Sequence, residues 1–217
     1  MDCEDKFDII LHQFVRLMKD GKEARMSKRK GIYVLTDDLL KEVGRDVFRF
    51  FMLQYSVNSH LDFDLELAKE RSEKNPVFYI QYACARIHGI LAKLKTSASA
   101  KSYGGSTEAL GEGGQSSKLK TTSQNLKLLK EPAELDLIKQ LIRFPDLIAE
   151  ISQDYQIQKL PFYAIRLADK FHNFYERCRV ICRDKQKQQA RLALISACQI
   201  VLKNCLKLMG VSAPEKM

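Results

Sequence analysis

The sequence lacks the features that place a chain in or across a membrane. It contains no uninterrupted run of eighteen apolar residues, residues 1–10 hold no apolar stretch of a signal peptide, and no lipidation motif is present. Acidic residues are fewer than basic residues, since the chain has 27 Asp and Glu and 36 Lys and Arg, which gives a net charge of +9. With 45% of its 217 residues hydrophobic, the chain can bury a core, which excludes a wholly disordered protein. We therefore expect a soluble, basic, cytoplasmic protein.

Disulfide and zinc frameworks are also missing. The six cysteines lie at positions 3, 84, 178, 182, 198 and 205, and five of them fall in apolar helical patterns. Because no export signal is present, we expect reduced thiols in the core. Cys178 and Cys182 are four residues apart, as on one face of a helix, but no Cys/His pair at finger spacing completes a metal site. The sequence predicts no metal centre.

Residues 96–124 differ in composition from the rest of the chain. Gly, Ser and Thr make up 16 of these 29 residues and include five of the ten glycines. Such a stretch buries too little apolar surface to offset the entropy cost of ordering it. We therefore expect a mobile insertion between two helical segments.

The first 44 residues contain short extended segments and one helix. Asp20-Gly21 predicts a hairpin turn, and residues 32–35 form a short β-type run. Thr36 is then predicted to cap a helix that ends at Gly44.

After residue 45, the pattern outside the insertion is helical. Asn75 is predicted to cap a helix whose first residue is Pro76. Its core-facing stripe consists of Val77, Ile80, Cys84, Ile87, Leu91 and Leu94. Further helices are predicted at about 133–143, 145–154, 161–182 and 187–209. The predicted fold class is mainly α, a helical bundle preceded by a short β-hairpin.

A basic loop follows the predicted hairpin. Residues 25–31 hold four cationic residues and a glycine. This combination suits polyphosphate binding, because cationic side chains and backbone N–H groups all favour negative charge. A solvated basic loop, or a cluster of the nuclear-localisation type, has the same composition.

Aromatic and basic residues share a second face of the helix that begins at Pro76. Tyr79, Tyr82 and Arg86 are spaced three and four residues apart, outside the core stripe. Two rings with a guanidinium suit the stacking of unpaired bases. The alternative is that Tyr79 packs against a neighbouring helix with its hydroxyl bonded there.

Positive charge is concentrated in the last quarter of the chain. Residues 159–217 contain 12 Lys and Arg against 4 Asp and Glu, which suits phosphate contacts, although a solvated helix face would have the same composition. A second aromatic group, in which we expect the phenylalanines to lie in the core, comprises Phe171, Phe174 and Tyr175.

The segment from His60 to Asp64 places one histidine and two aspartates close together. Acid–base chemistry or a metal is one interpretation. The other, which we favour, is a turn whose carboxylates cap a helix beginning near Leu65.

These motifs together identify a family. Arg25-Met26-Ser27-Lys28-Arg29 resembles the Lys-Met-Ser-Lys-Ser signature loop of class I aminoacyl-tRNA synthetases. Ordered segments on either side narrow the resemblance to the arginyl-tRNA synthetases, and they are residues 13–17, 36–44, 59–65, 75–83 and 208–217.

The resemblance implies the C-terminal part of such an enzyme, because no His-x-Gly-His signature occurs among the four histidines. Residues 1–44 then end the catalytic domain, and residues 45–75 form connecting helices. Residues 76–217 form a DALR-type anticodon-binding bundle with residues 96–124 as a flexible insertion. The implied partners are tRNA-Arg and the N-terminal catalytic domain, and we expect a monomer with no membrane partner.

The resemblance also implies roles for single residues. Lys28 is the implied catalytic residue, and it binds the phosphates of ATP, accompanied by Mg²⁺, together with Arg25, Met26 and Ser27. The implied anticodon contacts, joined by Arg86 from the aromatic face, are Tyr82, Tyr175 and Met217. We expect this chain alone to bind no ATP and to catalyse no aminoacylation.

Two alternatives remain. The first is a stand-alone tRNA-binding or regulatory module derived from a synthetase, without catalysis. The second is a generic helical interaction protein, which would require the ordered motifs to be coincidental.

Overall fold

A small sheet and a set of long helices make up the fold. The computed structural model describes residues 9–24, 35–100 and 123–217. The strands are β1 (Val15–Lys19), β2 (Lys22–Glu23) and β3 (Leu61–Asp64). The helices are α1 (Thr36–Val43), α2 (Arg45–Leu53), α3 (Leu65–Lys69), α4 (Pro76–Ala100), α5 (Ser123–Leu126), α6 (Pro132–Asp154), α7 (Lys159–Arg177) and α8 (Lys185–Met209). The predicted mainly α fold class is confirmed.

The predicted hairpin is confirmed at Asp20-Gly21. Strands β1 and β2 pair antiparallel, with Lys19 opposite Lys22. Asp20 and Gly21 have φ angles of 51° and 70°, and a two-residue hairpin turn of this type requires positive φ at both positions. Of the predicted β-type run at 32–35, only its last residue lies within the described residues, and Leu35 precedes α1.

The sequence pattern predicted helix throughout the segment after residue 45, outside the insertion. This is wrong at residues 61–64, where β3 interrupts the helices. β3 pairs with β1 in parallel, with Leu17 opposite Phe63. Leu61 and Phe63 alternate with aspartates, so the two-residue period of a strand turns both apolar side chains into the core. The predicted turn at 60–64 is therefore wrong. The predicted carboxylate cap is confirmed, since Asp64 Oδ1 accepts a hydrogen bond from Leu67 N (3.0 Å) at the start of α3.

Helix α1 begins at Thr36, the residue that was predicted to cap it. Leu35 occupies the N-cap position, with no side-chain hydrogen bond, and its carbonyl accepts from Asp38 N and Leu39 N (both 3.1 Å). Thr36 is therefore the first helical residue, not the cap. The predicted end is confirmed, because Gly44 has φ 83°, a conformation that suits glycine.

Helix α4 packs against α2, α7 and α8. Asn75 caps it as predicted, since its Oδ1 accepts from Val77 N (3.1 Å). Of the predicted core stripe, the first four side chains are buried and Leu91 and Leu94 are partly buried.

Helix α4 also extends into the predicted insertion 96–124. It continues to Ala100, and α5 begins at Ser123, so both ends of that range are helical. Once a helix has formed, each added residue gains a backbone hydrogen bond, and this favours continuation beyond the apolar stripe. Residues 101–122 lie outside the described residues.

A single helix replaces the two predicted at 133–143 and 145–154. Pro145 lies inside α6, where it removes a backbone N–H and normally breaks a helix. α6 packs along α7 on both sides of the proline, with Leu137 and Leu147 buried, and this packing holds the helix continuous.

Helix α7 ends at Arg177, short of the predicted 182. Cys178 is extended, which lets Val180 enter the core and lets Arg191 Nη1 donate to the Arg179 carbonyl (2.6 Å). Cys178 and Cys182 therefore do not share a helix face. Periodicity could not reveal this, because the bond from Arg191 comes from the next helix.

The cysteines in the described part of the chain are free thiols, and all except the half-buried Cys182 are buried. Burial raises the pKa of Cys84 to about 11 and of Cys205 to about 12, and it also raises the pKa of Cys198. Thiols with raised pKa values form little of the reactive thiolate. The prediction that these three thiols lie in the core is confirmed.

By length and composition alone, helix α8 is apolar enough to cross a membrane. In the fold it contacts α4, α6 and α7, and ten of its side chains are buried. Packing inside the bundle accounts for its apolar composition.

Candidate nucleic-acid interface

An aromatic and cationic cluster forms where α4 meets α7. Arg86 Nη1 donates a hydrogen bond to the hydroxyl oxygen of Tyr82 (2.6 Å). The guanidinium carbon of Arg86 lies 4.2 Å from the ring centroid of Tyr175 and 5.5 Å from that of Tyr82. Both distances are within the range of cation–π attraction. Three of the predicted site residues therefore form one connected group.

His172 supports this group from α7. Its ring lies 5.7 Å from the Tyr82 ring at an interplanar angle of 21°, a stacked arrangement. Burial lowers the pKa of His172, the positive charge of Arg86 lowers it further, and a hydrogen bond with the Tyr79 backbone opposes both effects. The ring is therefore held neutral near pH 7, and Tyr82 rests on an uncharged platform.

Tyr79 packs between α4 and α7, which confirms the alternative that its hydroxyl bonds a neighbouring helix. Its hydroxyl donates to Asp169 Oδ1 (2.8 Å), and its ring lies 4.8 Å from the His172 ring. Burial and the bond to Asp169 raise the pKa of Tyr79. Phe171 and Phe174 are fully buried, so their prediction as core residues is confirmed.

A cavity of about 310 Å³ opens beside the exposed edge of Tyr82. Its apolar wall consists of Phe78, Tyr79, Tyr82 and Met217, and its polar wall consists of Arg71, Ser72 and Glu73. This volume lies at the small end of the range typical of ligand sites. Tyr82 and Met217, which are 135 positions apart in the sequence, thus border the same cavity.

Asn75 holds the polar wall in place. Its Nδ2 donates to the carbonyls of Leu67 (3.3 Å), Ala68 (3.2 Å) and Glu70 (3.0 Å), while its Oδ1 caps α4. The side chain is fully buried. One amide therefore ties the end of α3 to the start of α4, on either side of residues 71–73.

Exposed cations follow Tyr175 in the sequence. Exposed cations lie at the end of α7, on the segment that joins α7 to α8 and at the start of α8, and they are Arg177, Arg179, Arg183 and Lys185. A second cavity, of about 270 Å³, lies between Tyr175 and this segment, and Arg179 and Ile181 line it. The segment gives the aromatic cluster a positively charged border suited to phosphate groups.

The structure accounts for the predicted site residues unevenly. Tyr82, Arg86 and Tyr175 are in contact, and Met217 joins them through the cavity. Arg25, Met26, Ser27 and Lys28 lie outside the described residues. Sequence reasoning missed His172, although its position three residues before Tyr175 on one helix was a usable signal.

No group of three or more His, Cys, Asp or Glu side chains is arranged to hold a metal ion in residues 9–24, 35–100 and 123–217. Asp62, one of the acidic residues considered for such a role, instead pairs with Arg16.

Comparison with known proteins gives the class to which the chain belongs. The family model described as the DALR anticodon binding domain matches residues 80–217. That match spans more than half of the chain, and the chain therefore belongs to this family.

Individual relatives narrow the class. Arginine–tRNA ligases from Heliobacterium modesticaldum and Moorella thermoacetica are 43% and 42% identical to it over 212 residues, and each alignment covers 98% of this chain and 35% of the ligase. Among solved structures, an arginyl-tRNA synthetase from Campylobacter jejuni superposes with a TM-score of 0.72 at 28% identity, covering 97% of this chain and 41% of that one. The arginyl-tRNA synthetase from Plasmodium falciparum gives a TM-score of 0.61 at 25% identity, covering 83% and 28%.

The chain thus spans 35% of the length of the curated relatives it matches, and the matched part is their C-terminal region. The resemblance to arginyl-tRNA synthetases that the motifs indicated is confirmed.

Proposed function

We propose that this chain is the anticodon-binding portion of an arginine–tRNA ligase, which in its complete form joins arginine to tRNA-Arg with ATP. The observation that carries the proposal is the cluster of Tyr82, Arg86 and Tyr175 beside a cavity that Met217 borders. We propose these four residues as the anticodon contacts.

The geometry of Tyr82 supports a stacking role. One face of its ring rests on His172, and 40% of the residue remains exposed to receive a base. Since Arg86 donates to the hydroxyl oxygen, the hydroxyl proton of Tyr82 stays available to donate. A ring that stacks on a neighbour and is still partly exposed is suited to a base turned out of an RNA loop.

The genetic code makes a fixed pocket useful here. Every arginine codon has G in the middle position, so every arginine anticodon has C there. A cavity of about 310 Å³ bordered by Tyr82, Met217 and residues 71–73 offers stacking and polar groups for one base. We propose that this base is the central C.

Other parts of the proposal concern residues that the structure does not describe. We assign the phosphates of ATP, with its Mg²⁺, to Arg25, Met26, Ser27 and Lys28 of the signature loop, with Lys28 as the catalytic residue of the complete, monomeric, cytoplasmic ligase. The catalytic domain that completes the adenylate site is the further partner. We expect this chain alone to show no arginine-dependent ATP–pyrophosphate exchange.

The test is filter binding of the chain to two anticodon stem-loops that differ only in C or U at the middle position. We expect the C stem-loop to bind about tenfold more tightly, on the order of one to two hydrogen bonds. Equal affinity for both would leave only non-specific electrostatic binding and contradict the proposal.

A further inference from the structure

Residues 210–217, which we call the C-terminal tail, lead from the end of α8 to the cavity beside Tyr82. Gly210 ends α8 with φ 67°, and Val211 N donates to the Leu206 carbonyl (2.9 Å). Arg49 Nε donates to the Met209 carbonyl (3.0 Å), and a Cβ on Gly210 would lie 2.7 Å from that nitrogen. The direction in which the tail leaves α8 is therefore set by a left-handed glycine beneath an arginine.

The side chains of Gln81 and Asp46 then hold the tail at Ser212. Gln81 Nε2 donates to the Ser212 carbonyl (3.0 Å), to Ser212 Oγ (3.2 Å) and to Asp46 Oδ2 (3.1 Å). Asp46 Oδ2 also accepts from Ser212 N (3.1 Å) and from Ser212 Oγ. Gln81 is buried, with 7% of its surface exposed, so these bonds are sheltered from competing water.

Beyond Ser212 the tail has weaker attachments. Glu215 lies 3.6 Å from His88 Nε2 and 4.0 Å from Lys203 Nζ, and the Glu215 side chain is 62% exposed. Exposed ion pairs of this kind contribute little. Met217 is only five residues from Ser212, a reach of at most ~18 Å, so the anchor at Ser212 limits where Met217 can lie.

The residue that holds Ser212 and the ring that lines the cavity lie on the same helix, α4. Gln81 and Tyr82 are neighbours on α4, and they point in directions about 100° apart, Gln81 toward Ser212 and Tyr82 toward the cavity. Asp46 lies in the first turn of α2, and its hydrogen bonds with Gln81 and Ser212 connect α2 to α4 and to the tail.

We propose that Gln81 and Asp46 are positioning residues for anticodon recognition, because they hold the tail so that Met217 closes the cavity beside Tyr82. This inference rests on the proposed function and extends it to two residues that touch no RNA. Its physical content is that a residue at the end of the tail contributes more to binding when the protein has already met the entropy cost of ordering it.

The test uses the full chain with Gln81→Met, which keeps the length of the side chain and removes the amide. The matched control is Gln199→Met on α8, because Gln199 is only partly exposed and its Nε2 has no hydrogen-bond partner among the residues that the structure describes. Hydrogen exchange of a peptide covering the tail is measured first, without RNA. We expect exchange about fivefold faster in Gln81→Met, in line with the loss of one net hydrogen bond, and no change in the control.

Binding to the C stem-loop is measured next, in chains with and without Met217. We expect Gln81→Met to weaken binding about fivefold when Met217 is present and to have no effect when Met217 is removed, because the two changes act through one contact. Ser212→Ala, which leaves the Gln81 side chain intact, should reproduce the same pattern if Gln81→Met fails to fold.

The outcomes separate the two proposals. Unchanged tail exchange, or a loss of affinity that adds in full to the loss from removing Met217, overturns the positioning role. If the wild type binds no stem-loop, the proposed function fails, and the exchange measurement alone decides whether Gln81 holds the tail.

Discussion

An arginine–carboxylate pair with 2.6 Å between Arg Nε and a carboxylate oxygen lies in the helical bundle, and another lies in the small sheet. In the bundle, Arg191 pairs with Glu134, and their side chains are 7% and 0% exposed. In the sheet, Arg16 pairs with Asp62 through two hydrogen bonds, and their side chains are 45% and 44% exposed. The closest contact is equally short in both pairs, so the difference lies in the surroundings.

The surroundings give the two pairs different roles. Glu134 is held by both of its oxygens, since the second one accepts from Glu131 N (3.0 Å) as part of the capping box of α6. Arg191 also donates to the Arg179 carbonyl. Water can replace either partner in the exposed pair, but it cannot reach the buried one. Distance alone is therefore a poor guide to what an ion pair contributes.

The exposure of apolar side chains also differs between the two regions. Near the sheet, Ile9, Leu11 and Phe14 are 72%, 80% and 82% exposed. In the bundle, the large side chains of the helix contacts are buried, as with Phe171, Phe174 and Leu202. Leu61 and Phe63 of β3 share one buried core with the bundle, and the bundle supplies most of that core. We therefore expect core substitutions in the bundle to dominate the stability of the chain.

The largest expected effect is that of breaking the buried pair. Glu134→Ala leaves the Arg191 charge buried without its carboxylate and removes the hydrogen bond from Glu131 N at the start of α6. We expect the free energy of unfolding to fall by about 3–5 kcal/mol, measured by urea denaturation. A loss below ~1 kcal/mol would mean that burial does not distinguish the two pairs.

The next effect concerns binding and separates the aromatic residues of the two regions. Tyr82→Ala and Tyr175→Ala are each expected to weaken binding to the C stem-loop by about 1–3 kcal/mol, the contribution of one stacked base. Phe14→Ala, at an exposed aromatic residue near the sheet, is the control and should bind as the wild type does. Equal losses in all three variants would contradict the assignment of the interface to α4 and α7.

The exposed pair should have a smaller effect on stability. Asp62→Ala is expected to lower the free energy of unfolding by less than ~1 kcal/mol in the same urea assay, because both partners regain water. That loss should shrink further when salt is added, which screens exposed charges. A loss as large as that of Glu134→Ala would show that the sheet pair contributes more to the free energy of unfolding than its exposure indicates.

The smallest effect is on pH dependence. The pKa of His172 is lowered below its usual 6.5 in the folded chain, so the unfolded chain binds the proton more readily, and His172 makes stability fall as pH falls below 6.5. The charged groups facing it are Arg86, which opposes protonation, and Asp169 and Glu176, which favour it. His172→Phe keeps a ring beneath Tyr82 and removes this titration.

We expect the wild type to lose more melting temperature than His172→Phe between about pH 7.5 and pH 5.5. The carboxylates whose pKa values are lowered by lysines, Asp136 and Asp154, are present in both proteins and cancel in the comparison. Identical pH profiles would show that His172 gains its proton equally well in the folded chain.

Local signals in the sequence predicted the elements whose cause is local. The hairpin at Asp20-Gly21, the cap at Asn75, the glycine at the end of α1 and the core stripe of α4 all follow from residues within one or two turns of one another. The aromatic face at Tyr82 and Arg86 was visible for the same reason, since helical spacing places both side chains together. Resemblance to the family supplied Met217, which no local pattern could have placed.

Tertiary contacts decided the rest, because the deciding partners lie far away in the sequence. Residues 61–64 form a strand because β1, some 46 positions earlier, offers a parallel edge. α6 passes through Pro145 because α7 packs along it, and α7 ends at Arg177 where Arg191 bonds the Arg179 carbonyl. Hydrogen bonds at Ser212 bring the tail to the cavity across 131 positions, from Gln81. A sequence determines its periodicities and caps directly, whereas such long-range bonds exist only after the chain has folded around them.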